Sequence, residues 1–389
     1  MPENKSGNRT LRVMRIVTAS YVVPWHLGNT LKRMPKDFET YVVGQGVSAY
    51  RETYPRVHWI DLDLDRKVSI LRDVWALVRL CRIFLLVRPD IVHSIMPKSG
   101  LLTALAGFIC RVPVRMHTFT GQVWATRKGL FRRIYYLVDR IVHALNTLCL
   151  TDSPSQSKFL YANGFTHRAQ PLPVLANGSL SGVDLERFDS ASLKDQVAEL
   201  RRELGVQDSE FVFAYIARKS RDKGAFDLLQ AFEMVVKENS GVRLLFVGPD
   251  ESAGEINVLL QRPVLARSVI NVGQVSNHEV YLALSDVLCL PSYREGFGTI
   301  VIDAAAMGVP TIGTRIPGLI DAVEDGQTGM LVPAGNVDAL VETMKSVLSQ
   351  PEKLLAMREQ ARQRTAKLFS ADVVYSALRE TYSGLVQRA

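Results

Sequence analysis

Short apolar runs alternate with stretches of helical periodicity along most of the chain. In the first half, the pattern predicts buried strands at residues 13–19, 40–44, 57–62, 89–94 and 114–119. A helix is predicted by apolar residues at helical spacing, namely Leu71, Val74, Trp75, Val78, Cys81 and Leu85. Another helix is predicted at residues 99–110. This order is typical of an α/β domain built on a doubly wound parallel sheet.

The same alternation begins again in the second half. Strands are predicted at residues 211–216, 242–247 and 286–290, with a helix at 227–238. A chain of 389 residues is long for one core, so we expect two domains, at residues 1–189 and 190–370. The charged helical stretch 190–205 is interpreted as the hinge between them. Ligands are expected at the carboxyl ends of the strands in both sheets.

The composition favours a globular protein without disulfide bonds or membrane-spanning segments. All four cysteines lie among apolar neighbours without a Cys-x-x-Cys pair, and we expect them to be reduced: Cys81, Cys110, Cys149 and Cys289. The first residues are too polar, and residues 11–19 too charged, for a signal peptide. Three arginines interrupt the apolar stretch at 71–87. We therefore expect a cytoplasmic protein.

Positive charge is concentrated in the first half of the chain. Of the 47 Lys and Arg and the 39 Asp and Glu, residues 1–189 hold 26 and 14, which leaves 21 and 25 for residues 190–389. Such asymmetry is typical of a domain that faces an anionic membrane or a nucleic acid. A basic surface that simply stays in solvent is the alternative interpretation.

The most informative segment runs from Pro291 to Pro310, directly after a predicted buried strand. Glu295 and Asp303 lie eight positions apart, which on a helix corresponds to about 12 Å of rise and about 80° of rotation. The two carboxylates would share one broad face, and the amides of the intervening Gly-Phe-Gly turn could hold a diphosphate. An ordinary strand-turn-helix unit with an acidic first turn is the alternative.

This segment resembles the Glu-x7-Glu signature of family 4 of the retaining glycosyltransferases, with Asp303 where that family usually has Glu. The resemblance covers nearly the whole chain and is strongest at residues 211–335. It implies the GT-B fold, in which two Rossmann-like domains face each other across a cleft. The N-terminal domain would be the acceptor side, the C-terminal domain would bind the nucleotide sugar, and residues 371–389 would form a helix that packs back on the N-terminal domain.

The resemblance also implies which residues bind the donor. Glu295 would hold the hydroxyls of the donor sugar, and Asp303 would reach the ribose. The remaining donor contacts would come from Gly296, Phe297, Gly298, Thr299, Gln274 and Val275. The last two lie where the family has its pocket for the nucleotide base.

Two cations and a histidine complete the implied site. Arg218 and Lys223 match the residues that grip the donor diphosphate, although the family's glycine before this arginine is Ala217 here. A leaving diphosphate gains negative charge as the sugar bond breaks, so fixed cations stabilise the transition state more than the ground state. His117 matches a histidine that faces the donor sugar from the first domain. A solvated basic loop and a core histidine are the alternatives.

An acidic segment mimics a metal site. Asp61, Asp63 and Asp65 resemble the metal-binding Asp-x-Asp of the other glycosyltransferase fold, GT-A, but alternating acids equally suit a solvated strand face. Because two cations are available for the diphosphate, we expect no metal and no other cofactor. Of two further first-half residues that fit the family pattern, His93 is interpreted as structural and Lys98 as an acceptor contact.

Together these features predict an enzyme, a retaining transferase that moves a hexosyl or N-acetylhexosaminyl unit from a nucleotide sugar, UDP-linked, to a glycan. Residues 97–102, 117–121 and 178–188 resemble members that extend bacterial surface polysaccharides such as capsule or lipopolysaccharide on lipid carriers. The implied acceptor is therefore a glycan on undecaprenyl diphosphate. Three alternatives stay open: a GT-B sugar-nucleotide epimerase, a transferase with a soluble acceptor, and a nucleic-acid-binding protein. The last would need aromatic and basic residues interleaved, which the chain lacks, so we expect no nucleic-acid partner.

Residues 127–141 predict a peripheral contact with the inner face of the cytoplasmic membrane. Five basic residues flank an apolar stripe, namely Arg127, Lys128, Arg132, Arg133 and Arg140. An amphipathic helix of this kind can lie in the headgroup layer of an anionic membrane. A core helix with a solvated edge is the alternative.

Overall fold

The computed structural model describes residues 10–35, 38–64, 69–166 and 170–386. The chain divides into two compact units. One contains Met1–Ser181 and Ala371–Ala389, and the other contains Gly182–Ser370. Asp65, one of the three aspartates of the acidic segment, lies outside the described residues.

Strands and helices follow each other in the predicted alternation. The strands are β1 Leu11–Ala19, β2 Phe38–Gln45, β3 Val57–Asp61, β4 Ile91–Ser94, β5 Val114–Phe119, β6 Leu148–Thr151, β7 Phe211–Ile216, β8 Val242–Val247, β9 Val269–Val272, β10 Val287–Leu290, β11 Thr311–Thr314 and β12 Gly329–Val332. The helices are α1 Gly28–Arg33, α2 Ile70–Val87, α3 Pro97–Ile109, α4 Gly129–Leu145, α5 Pro154–Ala162, α6 Lys194–Glu203, α7 Ala225–Glu238, α8 Glu255–Leu259, α9 Pro263–Ser268, α10 His278–Leu284, α11 Thr299–Ala306, α12 Leu319–Ala322, α13 Val337–Ser349, α14 Pro351–Phe369 and α15 Ala371–Val386.

The described residues form two six-stranded parallel sheets of the same topology. The first has the order β3-β2-β1-β4-β5-β6 and the second the order β12-β11-β10-β7-β8-β9. In both sheets the strand order reverses beside the first strand of the unit, at β1/β4 and at β7/β10. Ligands of doubly wound sheets bind outside the carboxyl ends of the strands at such a point. The prediction of two Rossmann-like α/β domains is confirmed.

Helices cover both faces of the first sheet. Apolar residues of α2 and α3 pack with those of β1 and β4 on one face, for example Leu80 and Leu102 with Ile16 and Val92. On the other face, Leu378 and Tyr382 of α15 join a core with Val13 and Ile91. The C-terminal helix is therefore an integral layer of the first unit.

A buried histidine ties α15 to the sheet. The Nδ1 atom of His93 lies 2.7 Å from the hydroxyl of Tyr382, and its Nε2 atom lies 2.8 Å from Oγ1 of Thr118. Burial lowers the pKa of His93 well below its ordinary value, and the charge of Arg15 acts in the same direction. A neutral imidazole with both nitrogens engaged is a structural element, in line with its interpretation from the sequence.

The boundary between the units differs from the sequence-based position. It lies between Ser181 and Gly182, whereas the sequence placed it after residue 189. The reason is that Val183 pairs with Ser370, and the ring of Phe188 packs 5.4 Å from that of His278. The helix α6, expected to be a hinge, instead packs against α10 within the second unit. Tertiary contacts of a polar, glycine-rich segment leave no periodic signal in the sequence.

Among the described residues, no helix combines the length and the apolar character needed to cross a bilayer. All four cysteines are free thiols, with Cys149 and Cys289 buried and Cys81 and Cys110 partly exposed.

Candidate functional site

The loop that follows β7 carries both predicted cations. After Ile216 the chain turns through Arg218 and a single 3-10 turn over Arg221–Lys223, then passes through Gly224 into α7. Gly224 has φ of +68°, which only glycine adopts readily. A Cβ atom there would lie 2.0 Å from the carbonyl oxygen of Pro291. This glycine therefore lets the loop after β7 lie directly against the loop after β10.

That contact brings two of the predicted site residues together. The Nζ atom of Lys223 lies 2.6 Å from Oε1 of Glu295, although the two residues are far apart in the sequence. Their side chains are 18% and 11% exposed, so solvent screens the pair only in part. Ser292 donates a hydrogen bond of 2.8 Å to the same carboxylate oxygen, and Thr314 in turn donates to the carbonyl of Ser292. The carboxylate is thus held from two sides.

Arg218 lies in the same loop but is engaged by other carboxylates. Its guanidinium donates to Glu251 and, over 3.3 Å, to Asp222. Burial disfavours the charged form, but the two carboxylates outweigh it, so the pKa of Arg218 is raised above its ordinary value. The guanidinium is therefore fixed in orientation and permanently charged, as an anion-binding group requires.

The spatial relation of Glu295 and Asp303 differs from the sequence-based picture. We placed both on one helix, but α11 begins at Thr299, and Glu295 lies in the preceding loop. The physical reason is Gly298, the residue that caps the helix, whose φ of +84° interrupts helical geometry. The helical spacing of about 12 Å therefore does not apply to this pair. Thr299 is the first residue of the helix, where free amides face outward.

The glycine turn is largely buried, and Gly298 lies in the interior together with Phe297. The ring of Phe297 is buried and packs 5.1 Å from that of Phe369, so its side chain belongs to the core. Gly296 is half-buried, as is Thr299. Any contribution of Phe297 to a ligand would come from its amide, because its side chain belongs to the core.

Asp303 lies inside the second unit, on α11. It is 4% exposed, and its Oδ2 atom lies 3.6 Å from Nε2 of His278, the first residue of α10. Burial raises the pKa of Asp303, against the opposing effects of His278 and of Arg187. Arg187 itself is paired with Glu279 at 2.7 Å. No sequence pattern identifies His278, because a single histidine at the start of a short helix is indistinguishable from a surface residue.

The expected base pocket lies at the end of β9. Gln274 is exposed and Val275 is half-buried just beyond this strand. The end of β9 is held by Lys219, a residue that sequence reasoning missed, whose Nζ donates to Oδ1 of Asn271 and to the carbonyl of Val272, both at 2.6 Å. Burial lowers the pKa of Lys219 to about 8, against the opposing charge of Asp250. Lys219 thus fixes the backbone that leads into this loop.

His117 lies in the first unit, within β5. It is 2% exposed, its Nδ1 atom lies 2.9 Å from Oγ of Ser94, and burial lowers its pKa to about 3. The imidazole is therefore neutral at physiological pH. It packs so closely on α3 that a Cβ atom at Gly100 would lie 2.5 Å from its Cε1 atom.

His117 also lines a small pocket at the carboxyl end of β5. The pocket walls include Phe119, Gly121, Gln122 and Asp139. Asp139 on α4 accepts a hydrogen bond of 2.9 Å from Nε1 of Trp124, and burial raises its pKa to about 7. Asp139 lies within the amphipathic segment 127–141, but no sequence pattern identified it as a site residue, so its place in this pocket is a tertiary result.

The remaining predicted residues have other partners. Lys98 forms an ion pair of 2.6 Å with Asp73 of α2, which occupies the side chain that we expected to contact an acceptor. Asp61 accepts a hydrogen bond of 3.1 Å from the amide of Ser48. Among the described residues, no group of three or more His, Cys, Asp or Glu side chains has an arrangement that could hold a metal ion.

Each half of the chain matches a family model of glycosyl transferases. Residues 196–364 match the family model described as glycosyl transferases group 1, and residues 20–178 match the glycosyl transferase 4-like domain. The chain is 27% identical to the capsular polysaccharide biosynthesis glycosyltransferase CapM of Staphylococcus aureus, over 97% of this chain and 98% of CapM. It is 25% identical to the UDP-Gal:alpha-D-GlcNAc-diphosphoundecaprenol alpha-1,3-galactosyltransferase of Escherichia coli, over 73% of this chain and 73% of that enzyme.

A solved structure shows the same fold. The Anabaena protein HepE in complex with UDP-glucose has a TM-score of 0.78 and 17% identity, over 96% of this chain and 100% of that one. At this level of identity the likeness concerns the fold.

The close contact at Gly224 generates a prediction about stability. Gly224→Ala should lower the free energy of unfolding by about 2 kcal/mol more than Gly241→Ala, because overlap with Pro291 adds to the backbone strain of an L-residue. Gly241 is the matched control, since its φ is +82° and a Cβ atom there would meet nothing within 4 Å. Denaturant unfolding of both variants measures the difference, and equal losses would contradict the proposed packing role.

Proposed function

Because the chain belongs to the family 4 type of glycosyltransferases with the GT-B fold, we propose that it is a retaining transferase for a lipid-linked glycan. The donor is a nucleotide sugar, UDP-linked, and the transferred unit is a hexose or an N-acetylhexosamine. The observation that carries this proposal is the pair of Lys223 and Glu295 between the loops after β7 and β10. These loops flank the position where the strand order of the second sheet reverses.

The positive groups of this loop suit a diphosphate. Lys223 and Arg218 are both held by carboxylates, which fixes the positions of their charged groups. A diphosphate would take the place of these carboxylates as the negative partner. Charge that grows on the leaving group during transfer then meets cations already in position, which is where fixed charges lower a barrier most effectively.

Glu295 would bind the hydroxyls of the donor sugar, because its carboxylate lies beside the cation that would hold the diphosphate. Residues 296–299 follow it directly in the chain, and the amide of Thr299 at the start of α11 would offer a donor to the same ligand. In a retaining reaction of this type the acceptor attacks from the face that the diphosphate leaves. The departing phosphate can then take the proton of the acceptor hydroxyl, so no protein base is needed.

Asp303 and His117 have supporting roles in this proposal. Because Asp303 is 4% exposed, its carboxylate would meet the ribose hydroxyls through a bridging water. His117 is a neutral imidazole with one nitrogen near Ser94, and it would offer the other as a hydrogen-bond partner to a sugar hydroxyl. Gln274 and Val275 lie at the end of β9, where the base would bind.

Two similar transferases support the proposed acceptor. The E. coli enzyme named above acts on a sugar linked to diphosphoundecaprenol, and CapM acts in capsular polysaccharide biosynthesis. We extend both properties to this chain and propose a lipid-linked glycan in surface polysaccharide synthesis, at the inner face of the cytoplasmic membrane. The first unit supplies a basic amphipathic helix for that surface, with Leu130, Phe131 and Leu137 exposed on α4. The alternative of a sugar-nucleotide epimerase finds no support in these two transferases.

A screen of nucleotide sugars tests the proposed donor. A bound donor raises the melting temperature by mass action, and a UDP-sugar at about one hundred times its Kd would add about 2.7 kcal/mol of stability. Nucleotide sugars that stabilise the protein are then tested for transfer to a lipid-linked acceptor, and the anomeric configuration of the product is read by NMR. Absence of stabilisation by every nucleotide sugar, together with absence of transfer, would refute the function.

The diphosphate cations yield a kinetic prediction. Arg218→Ala and Lys223→Ala should each lower kcat/KM by about a hundredfold or more, as expected when a group that stabilises the transition-state charge is lost. Arg221→Ala is the matched control, because Arg221 belongs to the same loop but its side chain is 69% exposed and pairs with Glu255. Activity of both test variants within twofold of the control would remove these cations from the mechanism.

The two acids should respond differently to substitution. Glu295→Ala should abolish transfer, whereas Asp303→Glu should retain it, because the longer acid keeps a carboxylate on α11. The melting temperature of Asp303→Glu needs to be measured alongside, since an extra methylene in a buried position can cost about 1–3 kcal/mol through overpacking. A stably folded but inactive Asp303→Glu enzyme would show that the shorter acid is required.

Transfer is expected to survive a chelator, because Arg218 and Lys223 supply the positive charge at the diphosphate. Initial rates with and without EDTA measure this, with a metal-dependent transferase treated in parallel as the control. Complete loss of activity that manganese or magnesium restores would instead assign a metal-binding role to residues such as Asp61 and Asp63.

A further inference from the structure

Exposed apolar side chains are concentrated on one helical layer of the first unit. Of the twenty-two large hydrophobic residues that are exposed in the described part of the chain, fourteen lie on α2, α3 and α4. These helices form a continuous layer, because α3 packs against α2 on one side and against α4 on the other. Single exposed apolar residues are common on protein surfaces, but a group of this size on one layer marks an interaction site.

Helix α2 is apolar on two opposite sides. Its buried residues Ala76, Leu80 and Phe84 face the sheet. Its exposed apolar residues include Leu71, Val74, Trp75, Val78, Leu85 and Leu86. At 100° per residue, these six residues are centred about 175° from the buried three and extend over about 22 Å of the helix. A surface helix normally presents polar residues on the side that faces away from its core, so α2 is built to be covered by an apolar partner.

The other two helices continue this surface. Phe108 and Ile109 are exposed at the end of α3, at 57% and 60%. On α4, Phe131 and Leu137 are exposed at 67% and 60%, whereas Asp139 and Val142 face the interior. We call the exposed apolar residues of α2, α4 and the end of α3 the apolar face. On α2 this face points away from the first sheet, because Ala76, Leu80 and Phe84 on the opposite side pack with the strands.

The charges around the apolar face have one sign. Exposed basic residues flank or interrupt it, namely Arg72, Arg79, Arg82, Arg111, Arg132 and Arg133. The guanidinium of Arg79 lies 3.8 Å from the ring centre of Trp75, which places a cation beside an aromatic side chain of the kind that favours interfaces. The two acids on α2–α4 do not offset this charge. Asp73 is paired with Lys98, and Asp139 is buried.

We propose that the apolar face docks on an anionic lipid bilayer, with α2 as its principal contact and α4 as the second. Apolar side chains would enter the acyl boundary while the surrounding arginines meet lipid phosphates, which matches the pattern of interfacial helices. The charge argues against a second copy of the chain as the occupant, because two identical arginine-rimmed faces would repel each other. The proposal extends the proposed function from α4 to a docking face that spans three helices.

Docking would serve the proposed acceptor. A lipid-linked glycan is confined to the bilayer, so an enzyme held on the same surface meets it at high effective concentration. The docking step requires neither donor nor acceptor, and for that reason it can be measured separately from transfer.

The test measures partition to vesicles of phosphatidylcholine with and without anionic phosphatidylglycerol. In the variant Leu71→Glu/Leu86→Glu, two of the most exposed residues of α2 are replaced, at 86% and 83% exposure. The control Val258→Glu/Leu355→Glu makes the same change in net charge at residues of the second unit that are 65% and 69% exposed. Melting temperatures of all proteins are compared, and we expect them to agree because the substituted side chains are exposed.

We expect the wild type and the control to bind anionic vesicles, with binding reduced by high salt, and the α2 variant to lose at least tenfold in partition coefficient. Equal partition of the α2 variant and the control would overturn the proposal, as would a wild type that does not bind anionic vesicles. A wild type that dimerises in solution through α2, shown by a monomeric α2 variant in light scattering, would also overturn it in favour of a second copy.

Transfer assays separate this proposal from the proposed function. The α2 variant should keep its turnover with a soluble acceptor that lacks the lipid and lose it with the acceptor embedded in vesicles. Loss of turnover with both acceptors would overturn the docking role of α2. Vesicle binding without transfer by the wild type to any acceptor would instead refute the proposed function and leave the docking proposal standing.

Discussion

The backbone contact between Gly224 and Pro291 is the constraint on which the rest of the candidate site depends. Because Gly224 has no side chain, the loop after β7 can lie directly on the carbonyl of Pro291, and the adjacent Lys223 then reaches Glu295. Ser292 and Thr314 extend the same arrangement to β11. One close approach of backbone therefore joins residues from three successive elements of the sheet, and no side chain larger than hydrogen would permit it.

Several buried polar groups in this protein connect one element to another. In the first unit, His93 links β4 to the C-terminal helix through Tyr382, which explains why α15 belongs to the first unit although it follows the second in sequence. In the second unit, Asp303 and His278 connect α11 to α10, and Lys219 holds the end of β9. Unpaired polar groups are costly in the interior, so such connections select one packing among several that apolar contacts alone would permit.

The outer surface of the first unit is unusual because it exposes large apolar side chains. Helix α2 exposes Leu71 and Leu86 almost completely, although the same helix buries Leu80 and Phe84 on its opposite side. A helix that meets only water on its outer side is not expected to be apolar there, because apolar side chains that stay in water contribute no stabilising burial to the fold. Together with the basic residues around it, this surface has a composition that suits a partly apolar and negatively charged environment.

The sequence by itself determined the architecture and identified the loop that carries Arg218 and Lys223. Period-two and period-3.6 patterns are local, so they identified β7 and β8 to the residue and predicted both sheets, and the motif around Glu295 led to the family. Tertiary structure alone decided which residues meet. Contacts between distant segments determine the pairing of Lys223 with Glu295, the position of Asp303 beside His278 and the boundary at Ser181. Such contacts arise when elements pack in three dimensions, and one sequence carries no periodic signal of them.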